Sequence, residues 1–440
     1  MKIKVLKFGG TSLANGNQFK KVSKIIKSDP ERKYIVVSAP GKRFADDVKV
    51  TDMLHKCFTM AKNNENIDEA FQKIEDRFNE IINELNLDFS LDNEFKNIKA
   101  AILHHGSSDY LLSRGEFLNA MILAEYLGFD FIDAQKLIYF NEDESFDEHT
   151  TYKVLASILR SHEYAVIPGF YGSMPNGKIK TFSRGGSDIT GSIVASAIEA
   201  NIYENWTDVS GMLMADPRIV DNPKVIDIIS YSELRELSYM GATVIHEDAI
   251  FPVRKSAIPI NIRNTNQPSD NGTKIVPSAL RQEDDKMITG VAGKIGFSSI
   301  TVEKGMMNPE LGFARKVLEV FEKHKIPFEH LPTGIDTMSV IVNTSSIIDI
   351  VDDISVEIYR DVKADNIKFD HGLAMIAIVG RNLVESKGAA ARLFTALCKA
   401  DIDIKMIDQG SSDLNFIIGV SENNYAAAIK AIYSEFVEKH

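Results

Sequence analysis

The first residues with chemical potential stand at the end of a short apolar run, in the order Lys7-Phe8-Gly9-Gly10-Thr11-Ser12. A lysine, two glycines and two hydroxyl residues suit an anion such as a phosphate, because glycines let backbone N–H groups approach it closely. The common phosphate loop places its glycines before the lysine. Here the lysine comes first, at the end of a predicted strand, which would be a different device for the same task. The alternative is a plain strand–turn–helix corner with a surface lysine.

A second candidate site follows a later predicted strand and consists of Arg184-Gly185-Gly186-Ser187-Asp188. An arginine presents a planar pair of donors that matches a carboxylate in two-point contact. An alanine- and serine-rich helix is predicted over residues 189–200. Asp188 is therefore either the cap of that helix or a carboxylate that orients a substrate ammonium group.

A third stretch, SRGE at residues 113–116, lies in a helical pattern that runs over residues 109–127. We expect Arg114 to be structural and to pair with an acid. Glu116 borders an apolar helix face. It is either an ordinary surface carboxylate or a ligand for a cation such as an ammonium group.

A fourth stretch carries hydroxyl and carboxylate groups at the end of a predicted strand, at Thr207 and Asp208, and continues to Asp216 and Arg218. Such groups could hold ribose or adenine edges. The only tryptophan, Trp206, is explained equally well by core packing. A G-x-G-x-x-G motif does not follow a strand, so a nicotinamide-binding domain is not expected.

The elements that must position these residues alternate between strand and helix. Short β-rich runs at residues 4–8 and 34–38 flank a segment with helical spacing at residues 19–26, which predicts a βαβ unit and a parallel sheet. Residues 49–127 are predicted to be mostly helical. Further strands are predicted at residues 129–132, 164–167, 178–182, 202–206 and 259–262. The polar, Pro- and Gly-containing residues 264–287 predict a surface connection.

Beyond that connection the sequence repeats itself weakly but in register. Residues 300–342 align with residues 376–418 without a gap. The pairs Gly312/Gly388, Ile326/Ile402 and Gly334/Gly410 are each 76 positions apart. Each copy predicts strand, loop, helix, strand, turn, strand, which indicates two related α+β modules. The alternative is chance similarity of two helix and strand patterns.

Composition excludes several classes of protein. The chain has 440 residues, too many for one core, with 44% hydrophobic and 25% charged residues, values typical of globular proteins. The net charge is −12, without a basic cluster for nucleic acid or an anionic membrane surface. The two cysteines, Cys57 and Cys398, predict no disulfide framework. We find no apolar run long enough for a membrane span or a signal peptide, and expect a cytoplasmic protein.

The ordered motifs resemble one family, the aspartate kinases of the amino-acid kinase superfamily. They are KFGGTS (residues 7–12), SRGE (113–116), RGGSD (184–188), TDVSG (207–211) and DPR (216–218). The C-terminal repeat resembles the tandem ACT-type regulatory modules of that family. The resemblance implies an α/β fold, with an open αβα sandwich kinase domain over residues 1–287. Two α+β ACT-type modules would follow at 288–370 and 371–440, the C-terminal segment being a candidate to complete the first.

The resemblance also implies the reaction, which is transfer of the γ-phosphoryl group of ATP, with Mg²⁺, to the β-carboxylate of L-aspartate. The implied catalytic residues are Lys7, Arg184 and Asp188. The implied substrate residues are Glu116 for the amino group, Arg184 for a carboxylate, and Ser38 and Thr51 beside them. The implied nucleotide-side residues are Lys7, Gly9, Gly10, Thr207, Asp208, Asp216 and Arg218. No side chain is assigned to a metal.

The sequence departs from the family on the nucleotide side. Thr243 stands where many members have a lysine that touches nucleotide phosphates, and Leu213 stands where a tyrosine is frequent. Glu247 replaces a usual proline. Arg218 or Lys255 could supply the missing cation, and the sequence does not choose between them.

Regulation is also implied by the resemblance. The modules would bind an end-product amino acid, lysine and/or threonine, through a loop before the first module's helix, whose N-terminus suits a carboxylate. The candidate effector residues are Met306, Asn308, Gly312, Phe313 and Asp336. The alternative is that this loop is only a connection. A homodimer or higher homo-oligomer through the modules is expected.

Two other functions stay open at this stage. One is an amino-acid-binding sensor whose kinase domain has decayed, which the departures at Thr243 and Leu213 favour. The other is a related kinase with another acceptor. The presence of Lys7, Glu116 and Arg184 opposes the first of these alternatives.

Overall fold

The computed structural model describes residues 2–104, 106–183, 185–242, 245, 247–280, 286–381, 383, 386–409 and 414–438. Contacts divide the chain into two compact units. The first unit comprises Met1–Met212, Val225–Tyr231 and Val244–Gln282. The second comprises Leu213–Lys224, Ser232–Thr243 and Glu283–His440. Two short segments that precede residue 264 therefore belong with the C-terminal part of the chain.

The first unit is built on an eight-stranded sheet and a separate two-stranded hairpin. Its strands are β1 Lys4–Phe8, β2 Arg32–Val37, β3 Asp130–Phe131, β4 Ala165–Pro168, β5 Tyr171–Ser173, β6 Ile179–Thr181, β7 Ile202–Thr207, β8 Ile228–Ser230, β9 Ile260–Asn264 and β10 Thr273–Val276. The sheet has the order β3-β4-β2-β1-β7-β9-β10-β8. Only β10 runs antiparallel to its neighbour β9, and the other pairs are parallel.

Helices cover both faces of this sheet, and the predicted open αβα sandwich is confirmed. They are α1 Gly16–Lys27, α2 Val50–Lys62, α3 Asp68–Leu85, α4 Asp92–Leu103, α5 Ser108–Leu127, α6 Glu148–Leu159, α7 Gly186–Ala197 and α9 Glu247–Lys255; α8, Tyr231–Tyr239, lies almost entirely in the second unit. Leu6 and Phe8 of β1 join the core formed with α1 to α5. Because side chains alternate along a strand, Lys7 points to the opposite face, which α7 covers.

The predicted strands of the first unit are confirmed. The prediction that residues 264–287 form only a surface connection is wrong in part. Strand β10 lies within it and joins the main sheet between β9 and β8. Its alternate residues Thr273 and Ile275 are buried while Lys274 is exposed. A four-residue strand with one buried face carries too few apolar residues to stand out in a polar stretch.

The second unit has a five-stranded antiparallel sheet with the order β12-β11-β13-β15-β14. Its strands are β11 Gly290–Glu303, β12 Thr337–Asn343, β13 Asn366–Val379, β14 Ile404–Asp408 and β15 Asn415–Ser421. Its further helices are α10 Phe313–Lys323, α11 Val351–Val362, α12 Ala389–Lys399 and α13 Tyr425–Tyr433.

The predicted repeat is confirmed in register. Helices α10 and α12 begin and end 76 positions apart. Gly312 and Gly388 occupy the N-cap positions of these helices at φ of 79° and 87°, a left-handed conformation that favours glycine. Shared backbone geometry at the matched glycines argues against chance similarity.

The two modules share their longest strands. Residues Phe297–Glu303 of β11 pair with β12 and with the first half of β13, whereas Gly290–Lys294 pairs with the second half of β13, next to β15. The predicted boundary between residues 370 and 371 falls inside β13. The C-terminal helix α13 packs on β11, β15 and α12. The segment Gly290–Lys294 therefore crosses from the strand of the first module to pair beside the second.

Within the described part of the chain, no helix combines the length and the apolar character that crossing a membrane would require.

Candidate active site

Five parallel strands, β1, β2, β4, β7 and β9, end at one edge of the main sheet. The carboxyl ends of parallel strands form the usual ligand crevice of such sheets. The turns that follow β1, β2 and β7 carry several predicted site residues. Lys7 lies beside Asn205 of β7 in register, so both side chains leave the sheet on the same face.

Lys7 is held by an acid and is not a surface residue. Its side chain is 7% exposed, and its Nζ lies 2.7 Å from Oδ1 of Asp188. Asn205 donates from Nδ2 to the same oxygen at 2.8 Å. A Cβ placed on Gly9 would stand 3.7 Å from Nζ. The structure thus excludes a surface lysine and joins the first and second candidate stretches in one cluster.

Asp188 does not cap its helix. Gly185 occupies the N-cap position of α7 at φ of 57°, without a side-chain capping bond, and Asp188 follows in the first turn. Its carboxylate is instead engaged by Lys7 and Asn205. A carboxylate in the first turn is favoured by the positive end of the helix, so α7 fixes the position of the anion that orders Lys7.

The glycine turn after β1 is anchored at both ends. The Gly9 N–H donates to the Trp206 carbonyl oxygen at 3.0 Å, and the Ser12 hydroxyl meets that of Thr265 at 2.8 Å. A Cβ on Gly10 would lie 2.8 Å from the Ala39 carbonyl oxygen. A side chain at this position would therefore push the turns after β1 and β2 apart.

Glu116 is a buried carboxyl group, which excludes the surface interpretation. Its side chain is 6% exposed, and its Oε2 has no hydrogen-bond partner among the described residues. Burial raises the pKa of Glu116 to about 8, against the opposing effects of the Ala39 backbone N–H and the positive charges of Arg114 and Lys7. An acceptor oxygen buried near Lys7 without a partner is what a ligand ammonium group would satisfy.

Ser38 directly follows β2, and Thr51 lies in the first turn of α2, at the other end of the intervening loop. Both are partly exposed. The Ser38 N–H donates to the Phe8 carbonyl oxygen at 3.1 Å. Its own carbonyl oxygen accepts a 2.7 Å bond from Nδ2 of Asn119 in α5. Asn119 is not among the predicted site residues; its position one helical turn after Glu116 is the only signal for it in the sequence.

Arg114 is structural, as expected. The prediction that it pairs with an acidic side chain is wrong for the residues that the structure describes. The guanidinium lies 4.6 Å, 4.3 Å and 5.3 Å from the ring centroids of Tyr110, Phe117 and Tyr171. It donates to the neutral oxygens of Ser113 and Tyr110. Aromatic faces attract a cation without neutralising it. The net positive charge of Arg114 therefore remains available to act on Glu116.

The predicted nucleotide-side residues fall in both units. Thr207 donates from its hydroxyl to Asp208 at 3.2 Å, directly after β7. Asp216 and Arg218 lie in the second unit and pair with each other at 2.6 Å, with the Arg218 side chain 88% exposed. Lys255 pairs with Glu148 at 2.7 Å. Both candidate substitutes for the missing lysine thus have an acidic partner.

Three positions singled out from the sequence, Arg184, Thr243 and Gly410, lie outside the described residues. The predicted role of Arg184 therefore stays a prediction, with Gly185 and Asp188 described on its C-terminal side.

The predicted effector residues come together in the first module. The Met306 N–H donates to Oδ1 of Asp336 at 2.9 Å, and the Asn308 N–H donates to the Ile335 carbonyl oxygen at 3.1 Å. Met306 is 75% exposed and has φ of 62°. Gly312 and the buried Phe313 form the start of α10. Two loops and a helix N-terminus therefore meet at one exposed surface of the module.

Comparison with known proteins assigns the class first. A model described as the amino acid kinase family matches residues 2–264, and one described as an ACT domain matches residues 376–436. The first match spans more than half of the chain. The chain therefore belongs to the amino acid kinase family.

Relatives along the whole chain narrow this assignment to the aspartate kinases. Aspartokinase 3 of Bacillus subtilis is 37% identical over 99% of this chain and 98% of its own. The crystal structure of Clostridium acetobutylicum aspartate kinase has 49% sequence identity and a TM-score of 0.91, covering 99% of this chain and 100% of that one. Aspartokinase III of E. coli, solved in complex with aspartate and ADP, has 24% identity and a TM-score of 0.74 over 99% of each chain, and supports the fold.

Proposed function

We propose that this protein transfers the γ-phosphoryl group of ATP to the β-carboxylate of L-aspartate and forms 4-phospho-L-aspartate, the first step of lysine, threonine and methionine biosynthesis. The observation that carries the proposal is the pair of buried Lys7 and partly exposed Asp188 at the strand ends, close to the buried Glu116 with one unpartnered oxygen. The chain's membership of the aspartate kinases supports L-aspartate as the acceptor.

The chemistry requires charge compensation more than proton transfer. The acceptor carboxylate has an ordinary pKa of about 3.9 and is ionised at neutral pH, so no general base is needed. Two unit negative charges about 4 Å apart repel by about 4 kcal/mol at an effective dielectric constant of about 20. Left uncompensated, that repulsion would slow the reaction about a thousandfold. Positive side chains and oriented backbone amides are the groups that remove it.

The residues of the first unit divide this task. Lys7 and the amides around Gly9 and Gly10 hold the ATP phosphates, while Asp188 fixes Lys7 in place. Arg184 clamps a carboxylate of aspartate, and Glu116 receives its ammonium group.

The remaining side chains line the two substrates. Ser38 and Thr51 border the aspartate side. The proposed nucleotide contacts are Thr207, Asp208, Asp216 and Arg218.

Mg²⁺ is proposed to enter as the complex with ATP, and when bound it neutralises charge on the transferred phosphoryl group. Among the residues that the structure describes, no group of three or more His, Cys, Asp or Glu side chains is placed to hold a metal ion. The ATP phosphates would coordinate this metal ion, and Lys7 would supply the protein's own positive charge.

Feedback regulation is proposed to act through the second unit. Lysine and/or threonine would bind at the surface formed by Met306, Asn308, Gly312, Phe313 and Asp336. We propose a kinase domain over residues 1–287 that lends residues 213–224 and 232–243 to the regulatory part. Two interlocked regulatory modules follow, and association into a homodimer or higher homo-oligomer would occur through them.

The direct test measures ADP release with L-aspartate, L-glutamate or no acceptor, with the acyl phosphate trapped by hydroxylamine. Release that depends on L-aspartate supports the proposal. Binding of L-aspartate without ADP release would identify a sensor with a decayed kinase domain, and release with L-glutamate alone would identify another acceptor. The Arg184→Ala variant should raise the KM for L-aspartate more than the KM for ATP. A larger rise in the KM for ATP would assign Arg184 to the nucleotide side.

A further inference from the structure

Asn119 is a fully buried polar residue to which the mechanism above gives no role. It lies in α5, three residues after Glu116, and its exposed fraction is 0%. Its Nδ2 donates to the Ser38 carbonyl oxygen at 2.7 Å. Its Oδ1 has no hydrogen-bond partner within the described parts of the chain. Asn119 therefore makes one hydrogen bond through Nδ2 and leaves its other buried polar atom, Oδ1, without a partner.

That pattern is poor as a stabilising device. Leaving a buried acceptor unpaired costs more free energy than an ordinary hydrogen bond returns, whereas an apolar residue of similar size leaves nothing unpaired at its own position. Polar residues that break such a local rule occur mainly where function requires them. The question is then what the Asn119 bond holds.

The bond holds the turn that begins at Ser38, together with two other residues of α5. The Ala39 backbone N–H acts to lower the pKa of Glu116, which places this N–H beside the carboxyl group. Gly115 lets α5 approach so closely that a Cβ there would lie 2.7 Å from the Cβ of Ala39. One helix thus holds two consecutive residues, Ser38 by a hydrogen bond and Ala39 by close packing.

We propose that Asn119 is a positioning residue for the amino-acid substrate: it holds the Ser38–Ala39 turn so that Ser38 meets L-aspartate beside Glu116. This inference rests on the proposed function, since it assigns Ser38 and Glu116 to that substrate. It adds a residue that contacts neither substrate and acts through the turn alone.

The turn after β1 touches the Ser38–Ala39 turn, but it also has anchors of its own, so the effect should fall mainly on the aspartate side. The glycine turn after β1 is held by the bond from the Gly9 N–H to Trp206 and by the contact between the Ser12 and Thr265 hydroxyl groups. None of these bonds passes through α5. Loss of the Asn119 bond should therefore disturb aspartate binding and leave ATP binding nearly unchanged.

The test is Asn119→Leu, which keeps the volume and removes the donor, with Asn119→Asp as a second variant that has no N–H group and, when ionised, no donor at all. Expected is a rise of about tenfold in KM for L-aspartate and in its Kd by calorimetry, the effect of losing one well-placed hydrogen bond. KM for MgATP should change less than twofold, and kcat at saturating aspartate should stay within about threefold.

Tyr34→Phe is the matched control. Tyr34 lies near the opposite end of β2 and donates from its hydroxyl to the Leu159 carbonyl oxygen at 2.8 Å, so the variant loses a buried bond of the same kind far from the turn. It should lower the melting temperature at least as much as Asn119→Leu does, with both KM values unchanged. A stability loss alone cannot then explain a selective rise in KM for aspartate.

The inference is overturned if Asn119→Leu and Asn119→Asp leave KM for aspartate within twofold of the unmodified enzyme, or raise the KM for MgATP by the same factor. If one variant does not fold, the other decides. Failure of the proposed function has a different signature. The unmodified protein would then bind L-aspartate without releasing ADP, and the Kd comparison would still test the positioning role; no binding of L-aspartate at all would overturn both.

Discussion

The pKa of Glu116 predicts how aspartate affinity depends on pH. In the free protein this carboxyl group has a pKa of about 8 because burial disfavours its charge. A substrate ammonium group pairs with the ionised form and not with the neutral acid. Binding at neutral pH must therefore release a proton from Glu116, and affinity should rise with pH until the group is ionised in the free protein as well.

The magnitude follows from the fraction of ionised Glu116. At pH 7, a group with a pKa of about 8 is about one-tenth ionised, so binding should release about 0.9 proton. The Kd for L-aspartate should be about 25-fold larger at pH 6.5 than at pH 8.5. Both carboxylates of aspartate stay ionised across this range, so they add no comparable slope.

The assay is calorimetric titration of L-aspartate at several pH values, repeated in buffers of different ionisation enthalpy to count protons. The matched variant is Glu116→Gln, which has nearly the same shape and no titratable group. Its Kd should be larger by about tenfold or more at pH 8.5, since it loses a charge-assisted bond, and should show little pH dependence. A flat profile in the unmodified protein, or an identical profile in the variant, would refute the assignment of Glu116 to the ammonium group.

The raised pKa of Glu116 also affects folding stability. Its contribution to stability falls as the pH rises, whereas the affinity for aspartate rises. Because the pKa of Glu116 in the folded protein, about 8, lies above the ordinary 4.5, its favourable contribution to folding is complete below pH 4.5. It is lost as the pH rises from 4.5 towards 8. Without substrate, Glu116→Gln should therefore raise the melting temperature relative to the unmodified protein, by more at pH 8 than at pH 5. A difference that does not grow with pH would contradict the buried, neutral state of the carboxyl group.

Three further predictions concern other parts of the two units. Lys7→Ala should lower kcat more than tenfold in a folded protein, whereas Lys4→Ala, on the same strand but in a surface ion pair, should leave it unchanged; normal turnover in Lys7→Ala would remove Lys7 from the phosphate site. Gly10→Ala should lower kcat/KM for both substrates, because its Cβ would meet the neighbouring carbonyl oxygen at 2.8 Å, and unaltered kinetics would show that the two turns can separate freely. Asp336→Ala should raise the effector concentration for half inhibition about tenfold without changing the uninhibited rate. Glu319→Ala, on the exposed side of α10, is the control. Equal inhibition curves for Asp336→Ala and the unmodified protein would place the effector elsewhere.

Much of the fold could be predicted because local patterns and tertiary packing agree. Strand β1 and the register of the α10 and α12 repeat were predictable from short apolar runs and from matched glycines. Strand β10 was not, since only its pairing with β9 and β8 distinguishes it from a polar connection. The crossing of Gly290–Lys294 into the second module depends on strand pairing between distant residues. The hydrophobic periodicity of a segment does not indicate which other strand it pairs with.

The candidate site was predictable in its residue types but not in its pairings. The sequence indicated Lys7 and Asp188 separately, and only the sheet brings them within 2.7 Å. Arg114 was expected to find an acid, yet two aromatic rings of its own helix and Tyr171 of β5 surround it. Asn119 was missed because an amide one turn from a carboxylate is common on helices; its burial and its bond to Ser38 set it apart.

The path of β11 and β13 through both modules has a consequence for the order of events during synthesis. Residues 297–373 form a contiguous module that can assemble soon after it leaves the ribosome. Gly290–Lys294 is made earlier, yet its partner, the second half of β13, is made only after that module. Until then this early segment is an exposed strand edge, a recognised starting point for misassembly. Chains interrupted near residue 373 should therefore aggregate, even though their first module is complete.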